Sequence, residues 1–244
     1  MLFPPEQRIL DAATELAARL PDTPHALHTV AAAAMDVEGN VHAGVNVHHF
    51  TGGPCAEVVA LGAAATAGAG PIAEMVAVGN QGRGVLAPCG RCRQVLVDQH
   101  PDCRVIVPGR HGPETVVAWD LLPYTYEFPD AAPPRLLRFN AAHWQAVLDG
   151  VKTATTRFGE RPGVGEATLL FEFDERYRSL PGAIEAVDRV RLADITDDMA
   201  ALEGCTADQL RTALRTHYYP GITDADRVDF VRFRTKDADS ISPS

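Results

Sequence analysis

Two short fragments carry residue types that can do chemistry, Pro54-Cys-Ala-Glu57 and Pro88-Cys-Gly-Arg-Cys92. Each sets a cysteine just after a proline, at the expected first turn of a helix, where free backbone N–H groups and the helix dipole favour thiolate. Cys89 and Cys92 are three apart, so on a helix both sulfurs share one face and can grip a single ion. Cys55, arriving on another helix, supplies a third sulfur. Three protein ligands leave a fourth tetrahedral position open to water, as in catalytic rather than structural zinc sites. Glu57 is placed to exchange protons with a water at that position and is not needed as a ligand. Three thiolates outweigh the charge of Zn2+ and weaken its pull on water, and Arg91 is the candidate cation to offset this. A C-x-x-C pair also occurs in closed zinc knots and redox pairs, and Cys103 or a histidine could complete a closed site. Otherwise Cys103 and Cys205 read as small buried hydrophobes.

A third fragment, Gly150-Val-Lys-Thr-Ala-Thr-Thr-Arg157, holds one of only two lysines in the chain. If it is extended, Lys152, Ala154 and Thr156 point one way and Thr153, Thr155 and Arg157 the other. Lys152 and Thr155 then meet only through a bulge or sharp bend. A lysine with a threonine and a carboxylate can activate a hydroxyl for acyl transfer. The plainer reading is a solvated strand with an incidental lysine.

The elements that must position these residues follow from periodicity and punctuation. Residues 5–20 have helical spacing of Ile9, Ala12, Ala13, Leu16 and Leu20, ended by Pro21. Residues 29–36 and 41–47 read as a strand pair about the turn at 37–40. Helices are expected from Pro54 to about Gly68 and over 89–99, with strands at 75–79 and 104–107. Such alternation predicts a helix-flanked sheet, an α/β layered domain. The run Phe128-Pro-Asp-Ala-Ala-Pro-Pro134 forbids a helix interior and sets a domain boundary near 130, giving domains 1–129 and 130–244. Beyond it, helices at 141–150 and 206–216 and strands at 151–157, 167–173, 186–195 and 227–234 suggest a small, mostly β, barrel-like domain. The tail 237–244 reads as frayed.

The 244 residues are 46% hydrophobic, enough for a real core, and carry a formal charge of −10. Residues 130–244 hold 15 of the 22 basic and 19 of the 32 acidic residues, so neither half favours nucleic acid or an anionic membrane. No stretch approaches a membrane span, and MLFPPEQRIL lacks a basic region followed by an apolar run. An odd count of five cysteines is no disulfide scaffold, and a reducing cytoplasm is the expected setting. His25, His28, His100 and His111 lie near expected turns and read as solvated. At most one of His48 and His49 faces a pocket.

The fragments at 55–57 and 88–92 match the zinc deaminase signature His-x-Glu…Pro-Cys-x-x-Cys, with cysteine for the histidine. The wider runs GVNVHHFTGGPCAEVVALG (44–62), VAVGNQGRGVLAPCGRCRQVLVDQHP (76–101) and LLP (121–123) resemble the blasticidin-S deaminases of the cytidine deaminase superfamily. The resemblance spans about 26 to 128. It implies a three-layer α/β/α fold, one zinc per chain on Cys55, Cys89 and Cys92, Glu57 as proton shuttle, and a homotetramer acting on a small cytosine nucleoside. It also makes Asn46, Ala56 and Tyr126 substrate contacts, with Tyr126 and Phe128 at the place of the family's C-terminal aromatics. Cytidine deaminases carry Asn-x-Glu to hold ribose hydroxyls. Asn46-Val-His48 keeps only the asparagine, which suits a cytosine nucleoside with an altered sugar, in antibiotic resistance or biosynthesis.

The stretch from about 135 to 235 resembles an ASCH domain, a small α+β PUA-like barrel, through Gly150, KTATTR (152–157), Glu203-Gly-Cys-Thr206 and Tyr-Pro-Gly (219–221). It is similar to amidohydrolases that remove acetyl from the exocyclic nitrogen of acetylcytidine. That resemblance implies Lys152, Thr155 and Glu203 as a catalytic set, with Thr155 as nucleophile and Lys152 as its base. Acylation would block deamination, so the two halves make chemical sense together. Two other readings compete: an ASCH domain that directs the deaminase domain to RNA, and an inactive binder that keeps zinc for stability.

Overall fold

A computed structural model describes residues 2–23, 25–129, 132–174 and 176–236. The centre of the proline-rich seam and the tail at 237–244 lie outside the described residues. The chain forms two compact units, Met1–Leu136 with Glu172–Ser179, and Leu137–Phe171 with Leu180–Ser244.

The first unit opens with α1 (Pro4–Ala18), followed by β1 (Val30–Asp36), β2 (Val41–Val45) and α2 (Ala56–Thr66). Then come β3 (Ile72–Gly79), β4 (Gly84–Leu86), α3 (Gly90–Gln99), β5 (Arg104–Gly109) and β6 (Gly112–Val117). The sheet runs β2-β1-β3-β5-β6, with β4 also on β3. Alternation along the strands divides its faces. Ala32 and Ala34 of β1 and Met75 and Ala77 of β3 share a core with Ala60 of α2 and Leu96 of α3. Ala31, Ala33 and Met35 face the other way, where α1 brings Ile9, Ala13 and Ala17, all buried. The result is three layers, α/β/α. Leu96, Ile72 and Met75 are fully buried, each worth about 1.5–3 kcal/mol of transfer free energy.

β4 and β6 were not anticipated. β6 begins Gly-Pro and follows a turn in which Gly112 takes φ +126°, so the local sequence reads as loop. β3 begins three residues earlier than its apolar run.

The β1–β2 turn is clamped by Asp36. Its carboxylate accepts from the backbone N–H groups of Glu38 and Asn40, from Asn40 Nδ2 and from His42 Nε2 at 2.9–3.1 Å. Burial works to raise its pKa, but the His42 and Asn40 hydrogen bonds outweigh it and hold the carboxyl below its ordinary value. A depressed folded pKa stabilises fully above the unfolded value of about 3.9 and ceases to do so as pH falls through the folded value. Asp36→Asn should therefore show its full stability deficit at pH 6 and a shrinking one below about pH 4, read from urea midpoints. A deficit that does not vary with pH would contradict this.

The second unit contains β7 (Arg135–Asn140), α4 (Trp144–Leu148), β8 (Ala154–Arg157), β9 (Gly165–Glu172) and β10 (Tyr177–Arg191). It closes with α5 (Asp197–Ala201), α6 (Ala207–Ala213) and β11 (Arg227–Thr235). Its sheet order is β7-β9-β10-β11-β8. In a flat sheet the edge strands would stand about 19 Å apart, four spacings of about 4.8 Å. Instead Arg157 of β8 donates to the Arg138 carbonyl of β7 and lies 5.2 Å over the Phe139 ring. The sheet is therefore curled, edge towards edge. Leu192, Ala200, Leu210, Leu214 and Val228 form a satellite core under α5 and α6.

Three expectations change here. The helix expected at 141–150 is a 3-10 turn followed by one turn of α-helix, and the strand expected from 151 starts only at Ala154. α6 runs into a turn of π-helix, Leu214–Tyr218.

Candidate functional site

Cys55 and Cys89 are the N-cap residues of α2 and α3, each with extended backbone after a proline. Their convergence follows from topology. α2 leads into β3 and α3 leads into β5, and β3 and β5 are the parallel pair of a sheet whose other recorded pairings are antiparallel. Two helices on one face that feed parallel neighbouring strands run the same way, so their N-termini meet. Gly44 of β2 lets α2 come close, since a Cβ there would stand 2.6 Å from the Ala60 nitrogen.

The Cys55 and Cys89 sulfurs are 3.6 Å apart, and those of Cys89 and Cys92 3.7 Å. Zn–S bonds of about 2.3 Å put tetrahedral sulfurs about 3.8 Å apart, so the three fit one such ion. Among the described residues no fourth His, Cys, Asp or Glu side chain joins them. Cys103 lies in the apolar core, its thiol on the Arg104 carbonyl. Burial raises the pKa of Cys55 and Cys92, and the Glu57 carboxylate adds to both. Cys89 goes the other way. Burial is outweighed there by hydrogen bonds from the Cys92 backbone, the neighbouring thiols and the Arg91 backbone, which bring its thiol below the ordinary value.

Glu57, in the first turn of α2, is 6% exposed, and Ala56 beside it is fully buried. The Arg91 side chain is exposed. Its backbone N–H is one of the groups that lower the Cys89 pKa. Sequence reading missed Arg93, which fixes the Cys89 approach by donating to the carbonyls of Pro88 (2.8 Å) and Leu121 (3.0 Å). The Asn46 side-chain oxygen accepts from the Thr29 and Val30 amides at 2.7 and 2.8 Å. Tyr126 accepts from Gln94 through its carbonyl while its ring is exposed.

The histidines are also revised. His28 Nδ1 lies 2.7 Å from the Asn46 carbonyl, and burial pushes the pKa of His100 down to about 4, so neither is a solvated turn residue. His48 and His49 are both exposed, with His49 on the Thr51 hydroxyl.

In the second unit, Gly150 at φ +69° turns the chain out of α4. The Leu202 carbonyl accepts from the Thr153 and Ala154 amides, laying Glu203 beside the lysine. Lys152 Nζ donates to Glu203 Oε2 at 2.8 Å, both side chains 5% exposed or less. The other carboxylate oxygen accepts from Thr156 Oγ1 at 2.6 Å, a partner the resemblance did not single out. Thr155 lines the same cavity, of about 550 Å³, but makes no hydrogen bond to Lys152 or Glu203 among the described residues. Lys152→Ala should destabilise the protein by about 3–5 kcal/mol, because it strands a buried carboxylate. Lys152→Met with Glu203→Leu should recover most of that. An unchanged urea midpoint for the single variant would sink the assignment of a buried pair.

Residues 5–107 match the family model described as the cytidine and deoxycytidylate deaminase zinc-binding region. A cytidine deaminase of Mycobacterium tuberculosis is 34% identical over 109 residues, covering 44% of this chain and 79% of that protein. The chain belongs to the cytidine deaminase family. It is a zinc-dependent aminohydrolase, with the three-cysteine cluster in the region that the family model matches. This family member is also similar to a blasticidin-S deaminase of Bacillus cereus, 32% identical over 89 residues, covering 33% of this chain and 64% of that one. The solved ASCH domain from Lactobacillus crispatus has 17% identity and a TM-score of 0.34, covering 37% of this chain and 68% of that one. Among the described residues no helix is long and apolar enough to cross a membrane.

Proposed function

We propose that the first unit deaminates a cytosine nucleoside of the blasticidin type, with Cys55, Cys89 and Cys92 holding the zinc. The observation that carries this is three sulfurs within 4.8 Å of one another beside the buried Glu57. Bound zinc supplies a Lewis-acidic centre that makes water nucleophilic near neutral pH. Glu57 takes the proton of the attacking water and passes it to the ring and then to the departing amino group, so that ammonia leaves. The buried setting of Glu57 strengthens its electrostatic grip on the charge that develops. Asn46 Nδ2 is offered to the sugar, and His48 in place of a carboxylate favours a sugar other than plain ribose. Ala56 presents its backbone in the first turn of α2, and the Tyr126 ring closes over the substrate.

We further propose that the second unit, read as an ASCH domain, removes acyl groups from the exocyclic nitrogen of cytosine, and that the enzyme is a cytoplasmic homo-oligomer. Exposed Phe50, Tyr124 and Phe128 support self-association.

The test is ammonia release from cytidine, deoxycytidine, cytosine and blasticidin S, with zinc measured on the same sample. Blasticidin S should be turned over fastest. Equal turnover of cytidine overturns the sugar reading, and no ammonia from any of the four overturns the deaminase reading. Failure to release cytidine from 4-N-acetylcytidine overturns the deacylation reading.

A further inference from the structure

We propose that Thr156, not Thr155, is the nucleophile of the second unit. This deepens the deacylation reading and rests on it. A threonine hydroxyl attacks only when a base takes its proton, so the base must lie within hydrogen-bond reach. Thr156 Oγ1 meets that condition, 2.6 Å from Glu203 Oε1, and Thr155 has no such partner among the described residues. Lys152 meets the complementary one. Its Nζ donates to the opposite oxygen of Glu203 at 2.8 Å, so the ammonium orients and charge-balances the carboxylate instead of serving as base.

Strand geometry explains the choice. Thr156 sits opposite Phe230 and Thr155 opposite Val231 in the β8–β11 ladder, so their side chains leave opposite faces of β8. Lys152 precedes β8 and meets Thr156 through the carboxylate that both side chains reach, and the loop bearing Glu203 is held there by the Thr153 and Ala154 amides. The carboxylate faces the cavity between Lys152 and Thr156, with His143, Tyr218 and Tyr219 also on the lining. These rings suit a planar heterocycle carrying the acyl group.

The step balances. Thr156 Oγ bonds to the acyl carbon as its proton passes to Glu203 Oε1. The carbon–nitrogen bond then breaks, and that proton goes to the exocyclic nitrogen, freeing the amine. Water attacks the threonyl ester, Glu203 takes a proton from it and returns one to Thr156 Oγ, and the carboxylic acid departs.

The experiment uses full-length protein, 4-nitrophenyl acetate as acyl donor, acid quench and peptide mass spectrometry. The acetyl group should map to Thr156. Thr156→Ala should lose it and slow cytidine release from 4-N-acetylcytidine by about 10²-fold or more, and Thr156→Ser should restore both. Thr156→Val should behave as the alanine variant; it leaves a buried Glu203 oxygen without its donor and should lower the thermal midpoint, so both assays are run below that midpoint on protein shown folded by circular dichroism, which separates chemistry from folding. Acetyl on Thr155 or Lys152, acetyl on no residue, or undiminished labelling of Thr156→Ala overturns the assignment. If the parent leaves 4-N-acetylcytidine intact while Thr156 takes the acetyl group, the substrate reading falls and the nucleophile stands.

Discussion

Glu57→Gln should reduce deamination by about 10²–10⁴-fold while zinc content and melting temperature hold. The carboxylate is 6% exposed, one residue past Ala56 in the turn that Cys55 caps, and its charge is felt by both Cys55 and Cys92. Glutamine keeps the shape and can still donate and accept hydrogen bonds, but it cannot carry a proton from water to leaving group. Ammonia released at the parental rate would show that another residue moves the proton.

Cys92→Ala should have the second large effect, loss of the bound zinc and of deamination together. Cys92 is the buried member of the three, and without a cation burial and the Glu57 charge oppose its thiolate. A divalent ion relieves that opposition, so its binding is coupled to the fold of the first unit. Elemental analysis should find about one zinc per chain in the parent and almost none in the variant. Chelator treatment of the parent should reproduce the loss and added zinc should reverse it, whereas zinc should not rescue the variant. Retention of stoichiometric zinc by Cys92→Ala would remove this residue from the ligand set.

Much of this site could be read from the chain alone because its signals are local. Pro54-Cys55 and Pro88-Cys89 each mark a helix start, and the i, i+3 separation of Cys89 and Cys92 is a helical neighbour distance. Residues 29–36 and 41–47, set about the turn at 37–40, likewise gave the strand pair, and the α/β layering followed. What stayed hidden depends on long-range pairing or on residues that look like punctuation. The strand expected at 186–195 is β10, which starts earlier, at Tyr177, ends at Arg191 and passes through Pro181 and Gly182, where the Pro181 carbonyl still accepts from the Lys236 amide. The curling of the second sheet rests on Arg157 reaching β7, a contact no local pattern announces. Thr156 is the instructive case. An extended 150–157 would put it with Lys152, while family resemblance pointed to Thr155; the strand starts only at Ala154, yet Lys152 and Thr156 do meet on the Glu203 carboxylate.

The parallel β3–β5 junction also imposes an order of events on refolding. Cys55 and Cys89 are 34 positions apart and become neighbours only after their helices are aligned by strands that pair across a crossover. Long-range pairing of this kind forms late. Metal capture is therefore a late checkpoint, so the moment at which a refolding chain takes up zinc dates the closure of its central ladder.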